Sequence, residues 1–471
     1  MGRKNKRLED YVDRRLPRLG SYAIASSARD PTCVSCTTFN ILAPIYKRIN
    51  QQDPQHRESD IKEVWMKRNK RILDWLLSER SAIICLQEFW LGNAELVSIY
   101  DKRLGTAGYY TFKLARTNNR GDGLFTAVHK DYFRIISHKG LLFNDFADRV
   151  AQLVHVELIA PFRENNNNIN VGQQILIVNI HLLFPHDSSY SLERLRQVYK
   201  ILHYLESYQK ENKLNPLPVL LCGDLNGSKK GHVYKFLRSQ GFISSYDTAH
   251  LYADTDAQKW VSHRNHRGDN CGVDFILLLN PNRYRRLLKT PWSEALFGML
   301  KYQLRRVSLS EDDAFALLKA GSNGDCINYL GFCEALRRLN LIGPYHGLRV
   351  DEMRELWIQA DMDGKGFIDY KIFKQRIWNS KSEVVQGDHK VNNNNNHTHN
   401  SNSNEVRRQW HNSSNNGTAE QSIGFSVKAA VLFPAEVEKG KWPEDYVLSD
   451  HARLTVVFSP LKMPSFSSSS S

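Results

Sequence analysis

Apolar positions along the chain fall into two kinds of run, and the two alternate. RNKRILDWLLSER carries Ile72, Leu73, Leu76 and Leu77 at helical spacing, and the following SAIICLQ is apolar enough for a buried strand. SLERLRQVYKILHYLESYQ repeats the plan, with Leu192, Leu195, Val198, Leu202 and Leu205 on one face, and leads through NPLP into the strand PVLLCG. VSCTTFNIL, LFTAVHK, AQLVHVELI, QILIVNIHLL, GVDFILLL, GFSVKAAVLF and ARLTVVF are further predicted strands. Several are apolar on both faces, which predicts sheets covered by other layers.

Polar residues interrupt this pattern at the ends of strands. Asn40 lies in TFNIL, Glu88 ends AIICLQE, His181 ends ILIVNIH, and Asp224 with Asn226 ends PVLLCGDLN. Asp274 instead opens VDFILLL, and Asp450 with His451 opens ARLTVVF. If these groups meet at one edge, the last two strands must run against the earlier ones, so mixed sheets are required. Each residue taken singly has an ordinary reading, since Asp-Leu-Asn after a strand is commonly a turn. Together they place four carboxylates, Glu88, Asp224, Asp274 and Asp450, near one another. Two like charges about 4 Å apart repel by about 4 kcal/mol at an effective dielectric of 20. Such a cluster needs protons or a bound cation. Oxygen ligands with an amide or two describe Mg²⁺ or Mn²⁺ rather than zinc. Two histidines beside that ion would suit attack of water on a phosphate ester. Asp224 and Asn226, two apart on an extended chain, are expected to point the same way and work as a pair.

Composition narrows the partners. The 471 residues carry a net charge of +14, which favours polyanions, either nucleic acid or an anionic lipid surface. Basic residues gather in the N-terminal segment 1–30, in NRYRRLLK, and at Lys229 and Lys230. The 7 cysteines include one C-x-x-C, Cys33 and Cys36, with no second pair at zinc spacing. They read as reduced core thiols, hence a cytoplasmic or nuclear protein. No run approaches the roughly 18 apolar residues of a membrane span. NNNN at Asn165 to Asn168 reads as a hairpin tip, 386–418 as an Asn-rich disordered linker, and 461–471 as a frayed tail.

The ordered series TFNIL, LQEFW, GDGL, NIHLL, GDLN, VDFI and SDH resembles the endonuclease/exonuclease/phosphatase superfamily, over about 31–300 and again over 420–460. The resemblance implies a four-layered α/β sandwich with two mixed sheets. It implies Glu88 as principal Mg²⁺ (or Mn²⁺) ligand with Asn40 beside it and Asp450 completing the set. By the same resemblance His451 is the catalytic histidine oriented by Asp274, Asp224 and Asn226 hold the attacking water and the phosphate, and His181 stabilises charge on the phosphate oxygens. TFNILAP and CGDLNGSKKGHVYKFL are most similar to the deadenylase-like branch that includes nocturnin, the Angel proteins and the carbon-catabolite-repressor-type deadenylases. That implies a 3′-exonuclease acting on poly(A)-like RNA. The alternatives are a neutral-sphingomyelinase-like enzyme or other small-phosphoester hydrolase acting on anionic lipid or a small molecule, and a catalytically inactive calcium- or RNA-binding adaptor.

Between Asp274 and the last strand lies a helical block, 308–380. ADMDGKGFIDYKIF resembles an EF-hand loop, with Asp361, Asp363 and Asp369 as candidate Ca²⁺ ligands, Gly366 at the turn and Ile368 at the pairing position. AGSNGDCINYLG is its expected sister, with Ile327 as the paired residue, as in plant members of the superfamily carrying such a pair. Lys365 stands at a ligand position and Ile372 replaces the final glutamate, which leaves a scaffold or docking surface as the competing reading. Because the block interrupts the chain just before Asp450 and His451, calcium is expected to act on catalysis through the final strand.

Overall fold

The computed structural model describes residues 33–50, 53–159, 173–185, 190–257, 259–281, 284–285, 287–319, 324–342, 347–379, 408–409 and 423–463. The basic N-terminal segment, the Asn165–Asn168 run, most of the Asn-rich linker and the tail after 463 lie outside them, as do positions 320–323 of the first EF-hand-like loop.

Twelve strands build two sheets. They are β1 (Val34–Asn40), β2 (Ile83–Phe89), β3 (Tyr109–Ala115), β4 (Gly123–His129), β5 (Phe133–Leu142), β6 (Val150–Leu158), β7 (Gln173–His181), β8 (Val219–Asp224), β9 (Ile243–Ser244), β10 (Asp274–Leu279), β11 (Ile423–Phe433) and β12 (Arg453–Lys462). One six-stranded sheet has the order β11-β12-β1-β2-β4-β3 and the other β9-β10-β8-β7-β6-β5. Each contains one parallel pair, β1 with β2 and β7 with β8. The neighbours β12 and β10 run antiparallel to β1 and β8. The ends of β1, β2, β7 and β8 and the beginnings of β10 and β12 therefore share one edge, as the polar residues at strand ends require.

The sheets face each other across an apolar core seamed with a polar network. Asn179 in β7 donates 3.1 Å bonds to the carbonyls of Leu86 and Phe125, and accepts 2.8 Å from Gln87 Nε2. These buried amides lock the two sheets in register, because shifting either would strand polar groups in the core. Cys33, Cys36, Cys85 and Cys222 are buried and form no disulfide among the described residues, as the cysteine spacing predicts, and Cys36 meets Cys222 at 3.5 Å between Sγ atoms.

Helices cover the outer faces. They are α1 (Lys62–Glu79), α2 (Ala94–Thr106), α3 (Tyr190–Glu211), α4 (His232–Ser239), α5 (Ser245–His250) and α6 (Lys289–Arg306). In α1 the residues Trp65, Ile72, Leu73 and Leu76 are buried at helical spacing, and the helix stops where Arg80 turns left-handed at φ 54. No helix among the described residues is long and apolar enough to cross a membrane.

The block at 308–380 contributes α7 (Glu311–Lys319), α8 (Tyr329–Arg338), α9 (Val350–Ala360) and the short α10 (Tyr370–Phe373). Two-residue strands join its halves, with Ile327 opposite Ile368. Its apolar residues, among them Leu318, Phe332, Leu356 and Phe373, belong to the same continuous core as the strands of the second sheet and α3. The block therefore packs on α3 and α6. Among the described residues its helices meet α3 and α6 at an apolar junction that includes Leu192, Leu300, Leu336, Leu348 and Leu356.

Candidate active site

The shared sheet edge gathers the predicted residues. Asp224, the last residue of β8, stands in register with Asp274 of β10 on one side and His181 of β7 on the other. Asn40 ends β1 and is fully buried. Its Nδ2 lies 3.3 Å from Glu88 Oε1, 3.2 Å from Asp224 Oδ2 and 3.4 Å from His451 Nε2. One amide thus connects a residue from each of four chain segments. His181 Nε2 is 3.4 Å from Asp224 Oδ2 and 4.0 Å from Glu88 Oε1. His451 Nδ1 meets Asp274 Oδ2 at 2.9 Å, and its Nε2 is 3.8 Å from Asp224 Oδ2.

Local backbone irregularities aim these groups. Glu88 takes φ 52 at a register shift in the β2–β4 ladder, so an extra residue turns its carboxylate out of the strand and into the cluster. Gly223 has φ 139, and a Cβ there would lie 1.9 Å from the Ile180 carbonyl oxygen. Only glycine lets β7 and β8 approach closely enough to set His181 beside Asp224.

Asp224 and Asn226 do not work as two alternate residues of one extended strand. Asn226 has left-handed backbone at φ 49, just past the strand end. Its backbone N–H caps Asp224 Oδ1 at 2.7 Å, and its side chain donates 2.8 Å to the Leu182 carbonyl. The turn chemistry of Asp-x-Asn competes with strand geometry and wins here, so Asn226 braces Asp224 and the chain after His181.

Burial sets the charges. Burial, then the charges of Asp450 and Asp122, push the Glu88 carboxyl up to about 7. Burial, then Asp274, push Asp224 up to about 7 as well. Burial opposes protonation of His451, but Asp274 and Asp224 outweigh it and raise its pKa well above the usual histidine value. His181 is held well below that value by burial and by Arg149 and Arg116. Two carboxyls that resist ionisation, an amide between them and a third carboxylate nearby form a donor set that fits a hard divalent cation. Asp224, Asp274 and His451 form one group whose ligand atoms lie within 4.8 Å of one another; His263, Asp450 and His451 form a second.

Three participants were not foreseen. The His263 ring stacks on His451 with centroids 4.1 Å apart, and its Nδ1 lies 3.0 Å from the Asp450 carbonyl; nothing in SHRNH announces this. Asp122, within the GDGL motif, is buried and takes bonds from Tyr46 at 2.6 Å and Arg116 at 3.0 Å. Arg149 directly precedes β6, is 8% exposed, and has no hydrogen-bond partner for Nε or Nη1. Its charge faces those of Asp122, Glu88 and Asp224. A charged residue abutting an apolar strand was the signal that could have found it. Lys229, in contrast, is no surface cation: it is buried, on Asp247 at 2.8 Å and the Ala253 carbonyl at 2.9 Å.

The candidate Ca²⁺ ligands do not converge. Asp361 accepts the backbone N–H groups of Lys365 at 3.1 Å and Gly366 at 2.9 Å, and Asp369 caps α10 through the Ile372 N–H at 2.7 Å. Lys365 Nζ sits 2.8 Å from Asp363 Oδ2. Among the described residues these three aspartates form no group within 4.8 Å, because the loop satisfies its carboxylates with its own amides and ammonium.

The Endonuclease/Exonuclease/phosphatase family model matches residues 38–461. An uncharacterised calcium-binding protein of Arabidopsis thaliana is 54% identical over 462 residues, covering 98% of this chain and 90% of that protein. The Arabidopsis carbon catabolite repressor protein 4 homolog 3 is 30% identical over 178 residues, covering 37% of this chain and 36% of its own length. The 3′-5′-exoribonuclease subunit Ccr4 of the Kluyveromyces lactis CCR4-Not complex is 24% identical over 202 residues, 37% of this chain and 25% of that protein.

Proposed function

The chain belongs to the endonuclease/exonuclease/phosphatase family, metal-dependent hydrolases of phosphoester bonds, and from that premise we propose that it shortens RNA from the 3′ end with Mg²⁺ as cofactor. The observation that carries the reading is the Asn40 amide, within 3.4 Å of Glu88, Asp224 and His451 at once. The choice of RNA is supported by the exoribonuclease name of the Kluyveromyces lactis relative and by the net charge of +14.

In this reading Glu88, Asn40 and Asp450 hold the cation. When bound it polarises the phosphate and offsets charge developing on its oxygens. Asp224 is a buried carboxylate whose Oδ1 is taken by the Asn226 N–H, leaving Oδ2 facing Asn40 and His181 to orient the attacking water. Donation from His451 Nδ1–H to Asp274 leaves Nε2 directed at the same place, the arrangement of a histidine base oriented by a buried carboxylate. Of the carboxylates that raise His451, Asp274 and Asp224 come before Asp450, and Asp450 alone is among the residues that would hold the cation. His181, kept neutral, donates to a phosphate oxygen without adding a competing cation.

The Arabidopsis relative is named as a calcium-binding protein, and the Ile327–Ile368 pairing supports reading 308–380 as a degenerate two-loop module. Modulation by calcium, in this reading, must displace Lys365 from Asp363.

The test is release of mononucleotide from an end-labelled, A-tailed RNA by purified protein with Mg²⁺, beside Glu88→Gln. Shortening by the wild type alone is expected. Cleavage of sphingomyelin or small phosphoesters with RNA left intact would reassign the substrate, and inactivity on all three would leave an adaptor.

A further inference from the structure

We infer that the inserted helical module is a working part of the catalytic site: it presses α3 against the Asp224–Asn226 turn, with Arg196 and Arg194 as positioning residues. The inference rests on the role given above to Asp224 and its turn.

Three observations meet on the first two turns of α3. Leu192 enters an apolar junction with Leu300 of α6 and Leu336, Leu348 and Leu356 of the module. Arg196, 5% exposed, directs three of its four hydrogen bonds at this junction. Its Nε donates 2.8 Å to Glu352 Oε1 and its Nη2 to Glu352 Oε2, a two-pronged pairing with a carboxylate on α9. Nη2 also donates 2.7 Å to the Gly347 carbonyl, and Nη1 3.1 Å to Glu193. Paired forks of this kind fix orientation as well as distance.

Two residues earlier on the same helix, and so about 200° round it, Arg194 points to the other side. Its Nη1 donates to the Asn226 carbonyl, and its Nη2 lies 3.3 Å from Ser191 Oγ. A Cβ at Gly227 would stand 2.8 Å from Nη1, so the guanidinium lies hard against the backbone of this turn. One turn further, Gln197 Oε1 accepts 3.0 Å from the Leu183 N–H, two residues beyond His181. The helix is thus held between the module and the backbone that carries Asp224, Asn226 and His181. A helix transmits displacement along its rigid frame, so loosening the Glu352 side lets Arg194 and Gln197 retreat from the site.

The experiment uses the full chain and three variants, Glu352→Gln, Arg196→Lys and Arg194→Lys. Glu334→Gln is the control, since among the described residues Glu334 pairs with Arg337 and Arg338 on the exposed side of α8. Hydrogen exchange of the segment 222–230 is read together with kcat and KM, below every variant's melting temperature. Glu352→Gln and Arg196→Lys are expected to raise exchange in 222–230 about tenfold and lower kcat five- to twentyfold with KM within twofold, while the control changes neither. In an Asn226→Ala background Glu352→Gln should add no further loss of kcat, because both act on one turn. Faster exchange confined to the module, with 222–230 and kcat unchanged, overturns the inference and leaves the module a separate scaffold. Failure of the underlying site reading looks different: Asp224→Asn would then retain turnover, whatever the exchange of 222–230.

Discussion

Asp274→Asn tests the catalytic geometry with the least disturbance of shape. Asp274 is fully buried, its Oδ2 receives His451 Nδ1–H at 2.9 Å, and its Oδ1 has no hydrogen-bond partner. An asparagine fills the same volume but presents either a neutral oxygen or an NH₂ group to His451. The first orientation loses the charge on the bond, about 1.5–3 kcal/mol for a hydrogen bond to a charged group, or roughly ten- to 150-fold in rate. The second reverses the tautomer, puts the proton on Nε2 and removes the base, a step worth about 10²–10⁴ in rate. Nothing around Oδ1 selects the harmless orientation, so kcat on A-tailed RNA should fall by about 10²–10⁴ while KM stays within threefold. The double variant Asp274→Asn/His451→Gln should be no slower than His451→Gln alone, since the two side chains act as a unit. Single-turnover rates in saturating Mg²⁺ give both numbers. A kcat within fivefold of wild type, or a double variant much slower than His451→Gln, would refute the coupling of the two residues.

Chelation should abolish turnover, and Mg²⁺ at about 100 times its Kd should restore it and stabilise the fold by about 2.7 kcal/mol. Glu88→Gln should lose both the activity and that thermal shift, and a shift that survives would remove Glu88 from the ligand set. Arg149→Gln should cut kcat/KM on RNA by about ten- to hundredfold, the value of a charged hydrogen bond to phosphate, yet raise the melting temperature, because a buried guanidinium whose Nε and Nη1 lack hydrogen-bond partners is costly. The reverse pair of signs would make Arg149 structural. Burial holds His129, His138 and His155 below the ordinary histidine pKa and His232 at about 4. The unfolded chain therefore takes up these four protons first, and their contribution to stability falls as pH drops below about 6.5, by up to about 1.4 kcal/mol per pH unit for His232, while Glu88 and Asp224, raised to about 7, act in the opposite sense. Chemical denaturation of wild type and His232→Gln between pH 7 and 5 checks this, since the stability of wild type relative to the variant should fall as pH drops. Lys365→Asn with Ile372→Glu should create a Ca²⁺ site with Kd on the order of 10⁻⁵–10⁻⁴ M by calorimetry, where wild type gives no heat at 1 mM.

What the sequence reveals and what it hides divides along a physical line. The period of the apolar runs fixes which residues end strands, and placing Asp274 and Asp450 before their strands, not after, already forces the antiparallel neighbours that β10 and β12 prove to be. Fold and edge were legible because both follow from strand direction. Backbone exceptions were not: no glycine or proline marks the left-handed Glu88, and Asn226, although Gly227 follows it, was placed on an extended chain, so a bulge and a cap passed for strand. Arginines were the harder case. In SLERLRQ, Arg194 and Arg196 read as the polar face of an amphipathic helix, because charged side chains are almost never fully buried unless paired. Both are buried, and for different reasons: Arg194 by the site's own turn, Arg196 by Glu352 and Gly347 from a segment some 150 residues away. Local pattern cannot register a partner at that separation. Take away 308–380 and Arg196 loses three of its four hydrogen bonds at once, keeping only Glu193. A helix that must lodge one arginine beneath an insertion and another beneath the catalytic turn is therefore constrained from both sides, and the insertion is to that extent bound into the catalytic fold instead of appended to it.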